Sequence, residues 1–227
     1  NLNMNHGKKR LERKWTYTNV NNLILYNALL RSNFHFSVHY PKRQINSLYF
    51  DDLNYTSINE NLDGISEKKK YRIRWYGSKN KLNNPIFEVK TKKGFEGHKK
   101  LFNLKKLNNL FIFKYKNLDF IKEFVNNQYR FNKIIYPILT THYDREYFIS
   151  NNALVRATMD YNLQSVYVRE NNDLNINRNY YSNTILEMKY DLNVDKYVRE
   201  NLKNISSRLS RNSKFVNSAL IPSSSYS

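Results

Sequence analysis

The chain has no cysteine, only five glycines and only four prolines among 227 residues. Without thiols it has neither a disulfide nor a thiolate metal site, which fits a reducing, cytoplasmic setting. With so few glycines, no glycine-rich loop can cradle phosphate through backbone amides, so any phosphate must be met by side chains. No run of about 18 apolar residues occurs, so no membrane-spanning helix is expected. The N-terminus lacks the apolar centre of a signal peptide. His6, His35, His39, His98 and His142 do not stand at metal-ligand spacing. Acidic residues are scarce too: 19 Asp and Glu against 38 Lys and Arg leave a net charge of +19. Such a chain attracts anions, whether nucleic acid, anionic lipid, nucleotides or phosphate polymers. A solvated basic surface is the plainer explanation for runs such as Lys68-Lys69-Lys70.

What is present is alternation. Arg10, Glu12 and Lys14 alternate with Leu11, Arg13 and Trp15; Lys70, Arg72 and Arg74 with Tyr71, Ile73 and Trp75. Glu88 and Lys90 alternate with Phe87 and Val89, Arg156 and Asp160 with Val155, Ala157 and Met159, and Glu187 and Lys189 with Leu186, Met188 and Tyr190. A period of two means strands whose successive side chains point to opposite faces. At least five strands therefore carry one apolar face and one face of mixed, mostly cationic charge. Either the apolar faces fill a barrel and the charges are solvated, or helices cover the apolar faces and the charges line a polar lumen. Composition alone leaves both open.

Residues 1–9 read as a loose arm, 10–219 as a single domain and 220–227 as a disordered tail. Strands are expected over 10–16, 45–51, 69–76, 86–92, 138–148, 153–160, 163–169 and 184–190. Thr18 looks like the cap of a helix over 19–31 with Val20, Leu23, Ile24 and Ala28 on one face. Residues 53–67 read as a polar stretch and 100–108 as a short helix. Phe120, Ile121, Phe124 and Val125 mark a helix over 117–130, and Val194, Val198, Leu202, Ile205 and Leu209 a C-terminal helix over 194–209. No strand–helix–strand rhythm is present, so the expected class is α+β with a large antiparallel sheet or closed barrel.

Motifs then add a resemblance. Arg10-Leu-Glu-Arg-Lys14 resembles the opening strand of the triphosphate tunnel metalloenzymes. Ser47-Leu-Tyr-Phe-Asp-Asp52 and Lys70-Tyr-Arg-Ile-Arg-Trp-Tyr-Gly77 resemble strands of their polyphosphate-polymerase branch, the vacuolar transporter chaperone (VTC) catalytic domain. Phe87-Glu-Val-Lys90, Tyr143-Asp-Arg145, Val155 to Asp160, Leu186-Glu-Met-Lys189 and Ser213-Lys-Phe215 follow in the family's order. The resemblance implies an eight-stranded antiparallel β-barrel tunnel with a polar lumen, flanked by helices. It implies ATP and inorganic polyphosphate as ligands, Mn²⁺ or Mg²⁺ as cofactor, and transfer of the ATP γ-phosphoryl group to the polyphosphate chain. Arg10 stands where the hydrolytic branch usually shows Glu, which favours polymerase over triphosphatase; a non-catalytic polyphosphate-binding module is the third alternative. The membrane-facing modules of the eukaryotic complexes are absent from this sequence, and a membrane-protein partner is left open.

By family position, Arg72, Arg74, Lys90 and Glu187 are the expected catalytic residues. Arg10, Lys14, Lys70, Tyr143, Arg145, Arg156, Lys189, Ser213 and Lys214 join Arg72, Arg74 and Lys90 along the phosphate path. Arginine forks onto phosphate oxygens bidentately, and lysine supplies point charge. Glu187 is the expected metal ligand, with Glu12 and Glu88 as further metal ligands or as carboxylates that orient neighbouring lysines. Asp160 reads as structural. Nucleic acid is not expected, because Tyr71, Trp75 and Phe87 fall on the face opposite the cations and cannot stack bases there.

Overall fold

The computed structural model describes residues 10–94, 96–112, 114–129, 131–168, 178–202 and 205. The expected arm and tail, and with them Ser213 and Lys214, lie outside the described residues. Among the described residues nine strands form: β1 (Arg10–Tyr17), β2 (Ser37–Asp51), β3 (Glu67–Tyr76), β4 (Ile86–Lys93), β5 (Glu96–Asn103), β6 (Tyr136–Ile149), β7 (Val155–Tyr167), β8 (Arg178–Tyr181) and β9 (Thr184–Asp191). The described residues also form four α-helices: α1 (Asn22–Leu30), α2 (Thr56–Leu62), α3 (Tyr115–Tyr129) and α4 (Asp195–Asn201). The strands join in the order β1-β9-β7-β6-β2-β3-β4-β5, with β8 on β7. The pairs β1–β9, β7–β9, β2–β3, β3–β4 and β4–β5 are antiparallel. The class is thus the expected α+β fold on an antiparallel sheet; the expected strands 153–160 and 163–169 run together as β7, β5 and β8 are additional, and among the described residues β1 and β5 remain the edges, so the sheet is not closed into a barrel.

The described residues fall into two compact units, one within Asn1–Arg43, Asp144–Leu163 and Tyr181–Asn212, the other within Gln44–Tyr143 and Gln164–Tyr180. In the first, Trp15, Met159, Leu186 and Met188 pack with Leu25 and Leu29 of α1 and Val198 of α4. In the second, Ile73, Trp75 and Phe87 pack with Ile121 and Val125 of α3. In both, helices cover the apolar strand faces, and this leaves the charged faces on the other side of the sheet.

Four local expectations need correction or completion. Asn19 takes a left-handed φ of 53°, which breaks the run after Thr18. α1 is capped instead by Asn21, whose side chain accepts the Leu23 N–H at 2.8 Å. That phase buries Leu25 and Leu29 and leaves Leu23 and Ile24 exposed. The polar stretch 53–67 contains α2, which lacks a long apolar stripe and is held by two carboxylates. Asp51 accepts the N–H groups of Ser57 and Ile58 at 2.9 and 3.0 Å, and Asp52 accepts the Thr56 N–H at 3.0 Å and its hydroxyl at 2.7 Å. The segment 100–108 begins as strand β5, because pairing with β4 (Phe87 opposite Phe102, Lys90 opposite Lys99) outweighs its weak local pattern. In α3 the buried positions are Ile121 and Val125, while Phe120 is exposed. Of the expected C-terminal helix, α4 covers 195–201, and most later positions lie outside the described residues. No helix among the described residues is long and apolar enough to cross a membrane.

Candidate phosphate and metal site

In the first unit the charged side of the β1–β9 ladder pairs opposite signs at three successive rungs: Arg10 faces Asp191, Glu12 faces Lys189 and Lys14 faces Glu187. β7 extends these rungs, with Arg156 opposite Lys189 and Thr158 opposite Glu187. Lys14 Nζ lies 2.6 Å from Glu12 and 3.2 Å from Glu187. Lys189 contacts Glu187 and lies 3.6 Å from Glu12. Two carboxylates thus share two ammonium groups. Glu187 keeps only 9% of its side-chain surface. Burial opposes its charge, but Lys14, Lys189 and Arg145 outweigh burial and hold it well below the usual carboxylate range. Glu12 is also lowered: burial and Glu187 push it up, and Lys14 and Lys189 prevail. Lys14 is raised, because Glu187 and Glu12 outweigh its burial.

The remaining residues of this group differ in engagement. Arg145 forks onto Asp160, Nε to Oδ1 at 2.6 Å and Nη2 to Oδ2 at 2.7 Å. Arg10 is 68% exposed and lies 3.7 Å from Asp191, at the outer end of the ladder. Arg156 is exposed. Among the described residues no three His, Cys, Asp or Glu side chains gather as a metal cluster. The donor set still fits a hard divalent ion: Glu12 and Glu187 offer oxygen alone, and such an ion completes its shell with phosphate and water oxygens.

The second unit carries the arginines. Across β2, β3, β4 and β5, Tyr49, Arg72, Glu88 and Leu101 form one rung, and Ser47, Arg74 and Ile86 the next. Arg72 binds Glu88 Oε2 through Nε at 2.6 Å and Nη2 at 2.5 Å, and donates to the Tyr49 hydroxyl at 3.3 Å. Lys99 reaches Glu88 Oε1 at 2.7 Å, and Arg74 stands 3.8 Å from it. Three cations, Arg72, Arg74 and Lys99, thus surround Glu88. Burial works against the Arg72 charge, yet Tyr49, Glu88 and Tyr143 hold its proton more tightly than in an ordinary guanidinium. On the other side of Tyr49–Arg72–Glu88, Lys70, Lys90 and Lys99 stand directly opposite one another, and beyond them Lys68 faces Lys92. Like charges at directly opposite positions are destabilising.

Glu88 carries a pH prediction. Its burial raises the pKa, but Arg72, Arg74 and Lys99 bring it down to about 2, against an ordinary 4.5. A depressed carboxylate contributes stability above its unfolded pKa and loses it as pH falls through the folded one. Urea unfolding should therefore show about 3 kcal/mol lost through Glu88 between pH 4.5 and 2. Asp52 adds to the loss, held down to about 2 by Thr56 and Lys133 against burial. A flat profile across that window would contradict both assignments.

Lys99, Tyr49, Ser47 and Thr141 escaped sequence reasoning. Lys99 lies in β5 just before the segment read as helix, and the others are uncharged. A strict parity count from Glu88 through the β4–β5 hairpin would have found Lys99 opposite Lys90.

The VTC domain family model matches residues 3–221. The chain belongs to this family. No curated protein matches it in sequence. Among solved structures, a candidate adenylate cyclase of Vibrio parahaemolyticus superposes with a TM-score of 0.51 at 16% identity, covering 93% of this chain and 99% of that one. HpAC1 of Hippeastrum, a candidate adenylyl cyclase described with a dominant triphosphatase activity, superposes with a TM-score of 0.47 at 12% identity, over 94% and 98% of the two chains. The first likeness is one of fold.

Proposed function

We propose that this VTC domain is a polyphosphate polymerase that transfers the γ-phosphoryl group of ATP to inorganic polyphosphate with the help of Mn²⁺ or Mg²⁺. A terminal phosphate oxygen of the acceptor chain attacks the γ-phosphorus, the bond from γ-phosphorus to the β–γ bridging oxygen breaks, and ADP leaves with that oxygen. Phosphoryl transfer asks a protein for positioning and charge compensation rather than a covalent nucleophile. Arg72 and Arg74 would grip phosphate oxygens, with Lys70 and Lys90 along the path. Glu187, with Glu12, would hold the divalent ion, whose contribution when bound is to neutralise charge on the phosphate oxygens. Lys14 and Lys189 would keep both carboxylates ionised.

The observation that carries this reading is the like-charged rung Lys70–Lys90–Lys99, continued by Lys68–Lys92, next to the arginines. A row of cations longer than the arginine pair suits a polyanionic polymer. The metal-dependent triphosphatase is the second reading, favoured by the paired carboxylates Glu12 and Glu187. Product stoichiometry separates the two. A polymerase releases ADP with little orthophosphate, whereas a triphosphatase releases one orthophosphate for each ADP. Equal release from the purified chain with ATP and Mn²⁺ would overturn the polymerase reading.

A further inference from the structure

Three buried polar atoms on the charged side of the second unit make no hydrogen bond among the described residues: Ser47 Oγ, Thr141 Oγ1 and Arg74 Nε. Ser47 stands directly opposite Arg74 across β2 and β3. β6 is the neighbour of β2 on its other side. Asn46 and His142 are joined there at 2.8 Å, on the side where the His142 ring meets Trp75. Alternation turns the adjacent residues, Ser47 and Thr141, to the opposite face together. Ser47 and Arg74 therefore form one rung beside the Tyr49–Arg72 rung, and Thr141 lies on the same face of the neighbouring strand β6. Ser47 and Thr141 are fully buried.

Buried polar groups are nearly always paired, and three unpaired ones at one place call for an explanation. Their chemistry narrows it. Arg74 Nε only donates, and each hydroxyl carries a proton to donate. Convergent donors suit a group that only accepts, and an ionised phosphoryl oxygen is such a group. Glu88 takes up the cations of the next rung and leaves Arg74 at 3.8 Å, too far for a hydrogen bond, so the guanidinium keeps donors to spare. Arg74 retains 14% of its side-chain surface, whereas Ser47 and Thr141 are fully buried.

We propose that Ser47, Thr141 and Arg74 Nε form a subsite for a single phosphoryl group of the bound phosphate chain, a tetrahedral oxyanion met by two neutral hydroxyls and one guanidinium edge. The proposal rests on the reading of this face as a phosphate site and is independent of whether water or phosphate is the acceptor. The ligand-free protein carries the cost of unpaired donors, and binding relieves it. Removing a hydroxyl should thus weaken binding without destabilising the free protein, the reverse of what a packing residue does.

The test uses the full chain without metal and titrates inorganic triphosphate by calorimetry into wild type, Ser47→Ala, Thr141→Val and the double variant. Thermal unfolding of each ligand-free protein is measured alongside. Each single variant should bind about tenfold more weakly, as for a hydrogen bond to a charged group, with an unchanged or higher Tm. Thr141→Val preserves shape and carries the test if Ser47→Ala fails to fold. Binding equal to wild type would overturn the subsite, as would weaker binding accompanied by a lower Tm, since a structural water or packing then explains the rung. If wild type fails to bind triphosphate, the phosphate-site reading falls as well; if only the variants behave like wild type, the subsite falls alone.

Discussion

Replacing Arg72 by lysine should lower kcat/KM for ATP about a hundredfold while the protein stays folded. The guanidinium puts two donors on one Glu88 oxygen and a third on Tyr49, and so is held at fixed orientation. Lysine keeps the positive charge beside Glu88 but loses the planar fork, and a point charge cannot reproduce bidentate phosphate recognition. A hundredfold loss corresponds to about 2.7 kcal/mol of transition-state stabilisation, within reach of one or two charge-assisted hydrogen bonds. Alanine is the poorer test, because it leaves the buried Glu88 without its main partner and costs stability as well. Steady-state kinetics on the lysine variant, with urea unfolding as the control, check this; turnover within about threefold of wild type would remove Arg72 from the phosphate site.

Glu187→Gln should abolish metal-dependent turnover, a loss of about a thousandfold or more, and weaken Mn²⁺ binding measured directly by electron paramagnetic resonance. Glutamine matches the shape of glutamate and keeps one acceptor oxygen, but it removes the negative charge that Lys14 and Lys189 stabilise. Glu12 remains beside both ammonium groups, so the fold should tolerate the change. Glu12→Gln should act more mildly, since its carboxylate is more exposed than that of Glu187. Unchanged turnover in Glu187→Gln would place the metal elsewhere.

Strands were legible where one face packs against helices. The alternation of Trp15, Ile73, Trp75, Phe87, Leu186 and Met188 with charged residues marks β1, β3, β4 and β9, and those side chains are buried as the pattern demands. Elements held by distant partners were not legible. α2 depends on Asp51 and Asp52, which sit outside the helix and would read equally well as metal ligands. β5 depends on its register with β4, and the phase of α1 on one left-handed asparagine. Charge was visible but its bookkeeping was not. Glu88 and Lys90 look alike as members of an alternating run, yet Glu88 is enclosed by three cations while Lys90 belongs to a rung of lysines. Ser47 and Thr141 carry no charge and lie in strands that read as ordinary sheet, so only the pairing of neighbouring strands brings them beside Arg74.

The most direct measurement is a gel that resolves polyphosphate length after incubation of the purified chain with ATP and Mn²⁺. The account predicts a ladder that lengthens with time, disappears with Glu187→Gln and is strongly reduced with Arg72→Lys. Free orthophosphate without a ladder, or a ladder indifferent to both substitutions, would contradict it.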